Sequence, residues 1–448
     1  MTATKNAPSR IRMSPKHPGY WEYRDETVLL IGGSVEDNLF QIDGLIEHLD
    51  LLEQAGGNYV RCTMSSRDDG NVWPFARTGE TYDLNEWNPA YWDRFERFLQ
   101  ATCERDIIVQ IELWATFDYY VAWAESPFNP ANNRTYTEQE TGLPLSVTPM
   151  PQLNQNTFFW SVPELGYQGQ VLHYQCRFVD RVLESSLSYP NVLYCIDNET
   201  HAPAAWARYW ASYIREAARR TGYSVEVGEM FWQKDLRHPQ HRDVYRRPEL
   251  FSFWEISQNN LLHGQGVLSD REEGDTHWSR LRFAVDSVCP RRPVSNVKIY
   301  GKDEQNDFGG PSHALERFWR NVIGGAASAR FHRPPHGLGL GERARASIRS
   351  ARLVCAEVDL FSMSPELVQF SARDPGGCYA SANTRGEFLM YFPRRSPVEI
   401  QVSSADNQRC RWLNPDESRF AESATLAGPR LELLPPAEGH WVAVISPA

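Results

Sequence analysis

The chain contains no Cys-x-x-Cys pair. Its 8 cysteines are scattered at positions 62, 103, 176, 195, 289, 355, 378 and 410, several of them inside predicted strands or helices. Such spacing excludes a zinc ribbon and makes no disulfide framework, so reduced structural thiols are expected. No apolar run approaches the roughly 20 residues of a membrane span. The stretch Met1 to Pro18 is polar and lacks the apolar core of a signal peptide. A cytoplasmic protein with no membrane partner is the resulting expectation. Basic residues form no patch and the net charge is -11, which leaves no footprint for a nucleic acid. There is no P-loop. Gly337-Leu338-Gly339-Leu340-Gly341 precedes a predicted helix, where it could hold an anion, but it lacks the spacing of a dinucleotide fingerprint. His238 and His241 have no third ligand in view and read as surface residues. Neither a metal nor a cofactor is expected.

What is present is a long, aromatic, foldable chain. It has 448 residues, 41% of them apolar, and no long low-complexity tract, enough for one large domain and a second small one. The 15 Trp and 19 Tyr imply either a large core or flat platforms on which sugars stack, because these rings have apolar faces and a polar edge.

Strand and helix signals alternate from Thr27 onward. Predicted strands run over Thr27 to Gly33, Asn58 to Met64, Ile107 to Trp114, Val192 to Ile196, Ser224 to Phe231, Leu250 to Ile256, Pro293 to Tyr300 and Ala326 to Phe331. Between them lie helical patterns, such as Tyr91, Trp92, Phe95, Phe98 and Leu99 after the cap Asn88-Pro89. Repeated strand–helix units predict a parallel sheet with crossover helices. Ala115 to Gly169 interrupts the rhythm with a long segment rich in aromatics. A segment of that length in a compact domain is usually functional. It leaves the third strand on the side where such folds carry their chemistry, so it is expected to wall a substrate cleft. Beyond Pro365 helical periodicity stops, and short strands at Phe388 to Phe392, Val398 to Val402, Arg411 to Leu413, Leu431 to Leu434 and Trp441 to Ile445 predict a small β-sandwich.

The chemistry concentrates at Asn191 to Thr200. The β-branched and aromatic run Val192 to Ile196 ends in Asp197, Asn198 and Glu199, and a helix follows with Trp206, Trp210 and Ile214 on one face. Asn198-Glu199 therefore sits where a buried strand gives way to a βα loop. An Asn-Glu pair after the fourth strand of such a series resembles the acid/base motif of retaining glycoside hydrolases built on (β/α)8 barrels. The Trp412-Leu413-Asn414-Pro415, Leu434-Pro435-Pro436 and Trp441 to Ile445 segments resemble the C-terminal β-domain of many of those enzymes. The resemblance implies a (β/α)8 TIM barrel over 27–363, preceded by an arm over 1–26 and followed by a β-sandwich over 364–448. It implies cleavage of O-glycosidic bonds in an oligo- or polysaccharide, with carbohydrate as the partner.

Glu199 is the expected general acid/base, since glycoside cleavage needs a carboxyl that is protonated to release the leaving oxygen and ionised to activate water. By resemblance Asn198 holds a sugar hydroxyl and Arg61 orients the second carboxylate. That second carboxylate ends the seventh strand in the family, about five residues after a Lys/Arg-Pro-Val start. Here Arg292-Pro293-Val294 is present, but the position is Lys298. Glu255, Glu304 and Glu229, in that order, are the other carboxylates expected at the rim. Trp114, Tyr119, Tyr120, Trp123, Trp232 and His332 complete the expected substrate contacts. Lys298 opens two further readings: a Schiff-base aldolase or lyase, or a barrel that binds carbohydrate without cleaving it.

Overall fold

The computed structural model describes residues 9–260, 270–301, 309–334, 336–402 and 407–448. It is a mixed α/β body followed by antiparallel strands. The body's parallel strands are β1 (Leu30–Gly33), β2 (Tyr59–Thr63), β3 (Ile108–Ala115), β4 (Val192–Asn198), β5 (Val227–Gly228), β6 (Trp254–Glu255), β7 (Val294–Ser295) and β8 (Ser328–Phe331). Strands β2 to β5 form one parallel sheet, in which Arg61 pairs with Gln110, Ile111 with Tyr194, and Val227 with Tyr194. β6 pairs with β7 and β8 with β1, also in parallel. The remaining joins are isolated backbone hydrogen bonds: Asn58 N to Ile31 O at 2.9 Å, Ser252 N to Val227 O at 2.7 Å, and, between β7 and β8, Ala327 N to Val294 O at 2.7 Å followed by Arg330 N to Asn296 O at 3.1 Å and Ile299 N to Arg330 O at 2.8 Å. Each strand is thus bonded to the next, and the last to the first. Close approach is needed between β1 and β2, where a Cβ on Gly32 would run into the Tyr59 carbonyl.

The helices are α1 (Leu45–Gln54), α2 (Pro89–Glu104), α3 (Gly169–Ser186), α4 (Ala204–Arg220), α5 (Pro239–Arg246), α6 (Asp270–Ser287), α7 (Pro311–Ile323) and α8 (Glu342–Glu357). Asn88 caps α2 by accepting from Ala90 N at 3.2 Å, with Pro89 in the first turn, as the sequence pattern predicts. With helices outside, every residue of β2, β3 and β4 is buried, which is why these strands read as continuous apolar runs rather than alternating ones.

Three expectations are corrected. Thr27 to Gly33 is not one strand. Glu26–Val28 closes a small antiparallel sheet with Arg12–Met13 and Trp21–Tyr23, and β1 begins at Leu30. The described part of the N-terminal arm is therefore folded, and Trp21 packs at 5.4 Å on Phe253 at the start of β6. β5, β6 and β7 are far shorter than their apolar runs, because those runs continue as extended chain whose groups bond to side chains such as Ser252, Glu255 and Ser257. His238 and His241 are not a surface pair: His238 Nδ1 caps α5, whereas His241 is buried between Gln233 O at 2.7 Å and Trp254 Nε1 at 3.3 Å.

After α8 the chain forms two antiparallel sheets. One is β9 (Gln369–Arg373), β12 (Val398–Gln401) and β16 (Arg430–Leu433). The other is β10 (Tyr379–Ala382), β11 (Phe388–Phe392), β17 (Trp441–Pro447), β13 (Gln408–Asn414) and β14 (Arg419–Phe420), with β15 (Ala424–Leu426) also on β13. Alternation along β11 divides its side chains. Phe388, Met390 and Phe392 join Ile400 and Leu431 in a core of their own. Leu389 and Tyr391 point the other way, into the core of the α/β body. There Tyr391 stacks on Trp319 of α7 at 6.0 Å, and Arg320 lies over Tyr379 at 5.3 Å. No helix of the described residues is long and apolar enough to cross a membrane.

Candidate active site

β4 delivers Asn198 as its last residue, and Glu199 follows with φ +57°. A left-handed conformation is costly for any residue with a Cβ and persists only where the surroundings impose it. Here Thr200 N bonds to Met230 O at 3.1 Å and Trp232 N to Thr200 O at 3.0 Å, which locks the chain after β4 to the chain after β5. From beyond β7, Lys298 Nζ donates to Asn198 Oδ1 and forms an ion pair with Glu199 Oε1. Tyr300 OH donates to the same Glu199 oxygen at 2.9 Å. Lys298 and Tyr300 are two residues apart on extended chain, so both reach one side.

Behind this triad Arg61 holds the floor. Its Nη2 donates to Asn198 Oδ1 at 3.0 Å and to Thr63 Oγ1 at 2.8 Å, its Nε donates to Glu112 Oε1 at 3.0 Å, and its Nη1 lies 2.9 Å from Asp37 Oδ1. Asp37 also meets His332 Nδ1 at 3.5 Å and Arg333 Nε at 3.3 Å. His332 faces the Tyr300 ring at 4.5 Å. The structure thus brings together Asn198, Glu199, Arg61, Lys298 and His332, five of the residues singled out from sequence.

Burial works against the Glu199 carboxylate, but the Lys298 ammonium, Tyr300 and Arg61 outweigh it and hold the carboxyl below its usual range. Burial also lowers Lys298, and Glu199 offsets this only in part. Asp37 shows the same balance as Glu199: burial opposes its charge, while Arg61, His332 and Arg333 hold it far below the ordinary range. His332 is pushed well down by burial, against the pull of Asp37, and further by Arg61 and Lys298.

The other expected site residues lie elsewhere. Glu229 is fully buried behind the site, beside Asp197. Glu255 is also buried; its Oε1 accepts from Ser257 N at 2.9 Å, from Ser257 Oγ and from Val297 N at 3.2 Å, tying β6 to β7, and burial pushes it up to about 7. Glu304 lies outside the described residues. Trp114, Tyr119, Tyr120 and Trp123 are buried. Tyr119 stacks on Phe158 at 4.1 Å, Trp114 packs against Trp210 at 5.2 Å, and Trp123 Nε1 donates to Pro144 O at 2.7 Å. Much of the long segment's aromatic content therefore packs into the core of the α/β body. The half-buried Trp232 stands apart, next to Phe117 at 5.9 Å and His201 at 5.4 Å.

Asp37 and Tyr300 escaped the sequence reading. Tyr300 carried a signal, since it falls two residues past Lys298 on the same strand run. Asp37 follows the turn after β1, at the end of the strand where site residues collect, but a surface Glu-Asp looks the same. Among the described residues no group of His, Cys, Asp and Glu could hold a metal.

No family model matches the chain, and no curated protein does. Solved structures do. A glycoside hydrolase family 5 structure from Bacteroides vulgatus superposes with a TM-score of 0.66 at 12% identity, covering 98% of this chain and 93% of its own. A second glycoside hydrolase superposes with a TM-score of 0.65 at 11% identity, covering 98% and 97%. A glycoside hydrolase family 5 mannosidase from Rhizomucor miehei gives 0.51 at 15% identity, covering 72% and 86%. The chain shares its fold with glycoside hydrolases, as the Asn-Glu resemblance implies, and over nearly its whole length with the first two.

Proposed function

We propose that this protein is a (β/α)8-barrel glycoside hydrolase with a C-terminal β-sandwich, and that it cleaves O-glycosidic bonds of an oligo- or polysaccharide with Glu199 as its acid/base. The ring of parallel strands supports the barrel reading. In such barrels the chemistry collects at the C-terminal strand ends, where Asn198, Glu199, Lys298 and Tyr300 meet. The observation that carries the proposal is the grip on Glu199: a buried carboxylate, left-handed backbone, and two donors on one oxygen.

Lys298 lies where the resembled enzymes carry their nucleophile. An ammonium cannot form the glycosyl ester of a double displacement, so the described residues favour a single displacement by water. Transfer of one proton from Lys298 to Glu199 converts the ion pair into a neutral acid and a neutral amine. The acid then protonates the leaving glycosidic oxygen and water bonds to the opposite face of the anomeric carbon; the proton lost by that water goes to solvent, because Lys298 is in contact with the acid on the leaving-group side, and solvent returns a proton to Lys298. Low surrounding polarity helps, since the neutral pair costs less there than in water. The expected product keeps an inverted anomeric centre, read by NMR in the first turnovers on a glycan panel. Retention would overturn the single displacement.

The same lysine favours a second reading, a barrel that binds carbohydrate and does not cleave it. Glycan binding by calorimetry, with no product from any glycan, would select it. Borohydride trapping of Lys298 with substrate would instead select the imine chemistry of an aldolase or lyase.

A further inference from the structure

Behind Glu199, Asp197 on β4 and Glu229 just past β5 lie side by side. Both are fully buried. Glu229 reaches back to the Asp197 backbone, so the two carboxyl groups are neighbours. Asp197 Oδ2 accepts from Trp206 Nε1 at 3.0 Å, and Glu229 Oε1 accepts from Met230 N at 2.7 Å and Asp197 N at 3.2 Å. Asp197 Oδ1 and Glu229 Oε2 are buried with no further donor. The titratable groups facing them are Cys195 on β4, Glu112 on β3, and Tyr119 and Tyr120 of the long segment, none of them cationic. Among the described residues neither carboxyl has an ion pair.

Two ionised carboxylates packed side by side with no cation repel each other; a proton held between them removes the repulsion and supplies a donor. We propose that Asp197 and Glu229 share one proton at neutral pH and act as a positioning pair that fastens the end of β4, and with it Asn198 and Glu199, to the end of β5. A shared proton satisfies buried oxygens that have no cation nearby. Burial raises both carboxyls, and the neighbouring Glu229 raises Asp197 further. The fastening lies on the far side of the Thr200–Met230 and Trp232–Thr200 bonds, so Glu199 is pinned from both sides. Removal of the shared proton at alkaline pH leaves two negative charges in contact and frees the strand end.

The test combines infrared spectroscopy with a pH profile. The spectrum of the wild-type protein at neutral pH is expected to contain the carbonyl band of an un-ionised carboxylic acid that disappears on raising the pH. The same band is expected to be missing from Glu229→Gln and from Asp197→Asn, either of which suffices if the other misfolds. Above the pair's ionisation, turnover by the wild type is expected to fall about tenfold per pH unit beyond the decline that loss of the Lys298–Glu199 proton itself causes. Glu229→Gln, whose amide donates to Asp197 without titrating, is expected to keep only the shallower Lys298–Glu199 limb. Absence of a titrating acid band in the wild type overturns the proposal, and so does a limb in Glu229→Gln as steep as in the wild type. The kinetic arm rests on the glycosidase reading and the spectroscopic arm does not: a titrating band in a protein that turns over no glycan overturns that reading and leaves the pair standing.

Discussion

Asp197 and Glu199 are two residues apart at one strand end, both are buried, and the fold stabilises them by opposite means. Glu199 is answered by a cation, Lys298, and stays ionised. Asp197 is answered by a second carboxyl, Glu229, and the pair is raised towards its protonated form. Desolvation is common to both, so it does not decide the charge; the partner does. The ionised member sits at the rim, where a proton can arrive and leave. The protonated pair sits behind it, where a fixed proton serves as a fastener.

The hardest blow to this contrast is Glu199→Gln, which keeps size and hydrogen bonding but carries no proton. Loss of acid–base help is worth about 10²–10⁴-fold in kcat on unactivated glycosides, with a smaller deficit on substrates whose leaving groups need less protonation. Near wild-type turnover, measured by product release, would remove Glu199 from the chemistry.

Lys298→Met attacks the pairing itself. Removing one partner of a buried ion pair costs about 3–5 kcal/mol, read by urea unfolding at neutral pH. The pH dependence is the sharper readout. In the wild type the Glu199 carboxyl lies below its unfolded value, so its contribution is present above the ordinary carboxylate range and lost as pH falls through the lowered value. In the variant burial is opposed only by Tyr300 and Arg61, so the carboxyl rises and stability is lost as pH increases. An unchanged sign of slope would show that Lys298 does not set the charge of Glu199.

Aromatic residues offer the same kind of contrast on a smaller scale. Tyr119→Ala removes a ring buried against Phe158 and is expected to cost about 3 kcal/mol of stability with little change in KM. Trp232→Ala removes a half-buried ring beside the loop after β4, and is expected to raise KM by about tenfold with little change in stability. Equal effects on KM would return the long segment to the cleft. Glu255→Gln is expected to change least: about 1 kcal/mol for the weakened contacts to Ser257 and Val297, and kcat within about twofold of wild type.

The sequence carried much of this. Uninterrupted runs such as Val192 to Ile196 mark strands covered on both faces, and Phe388 to Phe392 marks a strand whose alternate residues enter two cores. Asn198-Glu199 was visible because it follows such a run, and Lys298 because it stands about five residues after the Arg292-Pro293-Val294 start. The Asp197–Glu229 contact was not, because pairing between β4 and β5 sets it and both residues look like ordinary rim carboxylates in one dimension. The buried fate of Tyr119 and Trp123 was equally hidden: composition distinguishes an aromatic-rich segment from a disordered one, but not a wall that faces a ligand from one that faces the core of the body.

Helix α7 couples distant parts of the molecule. On its inner side Arg317 donates to the Tyr300 carbonyl at 2.9 Å and pairs with Glu273 of α6. On its outer side Trp319 and Arg320 lie against Tyr391 and Tyr379 of the C-terminal sheets. The appended strands therefore serve as a splint for the helix that sets the height of Tyr300 over Glu199. Cutting the chain after α8 would loosen that splint and let Tyr300 drift before any body strand came apart, so transplanting this site to another scaffold means taking the sheets along with it.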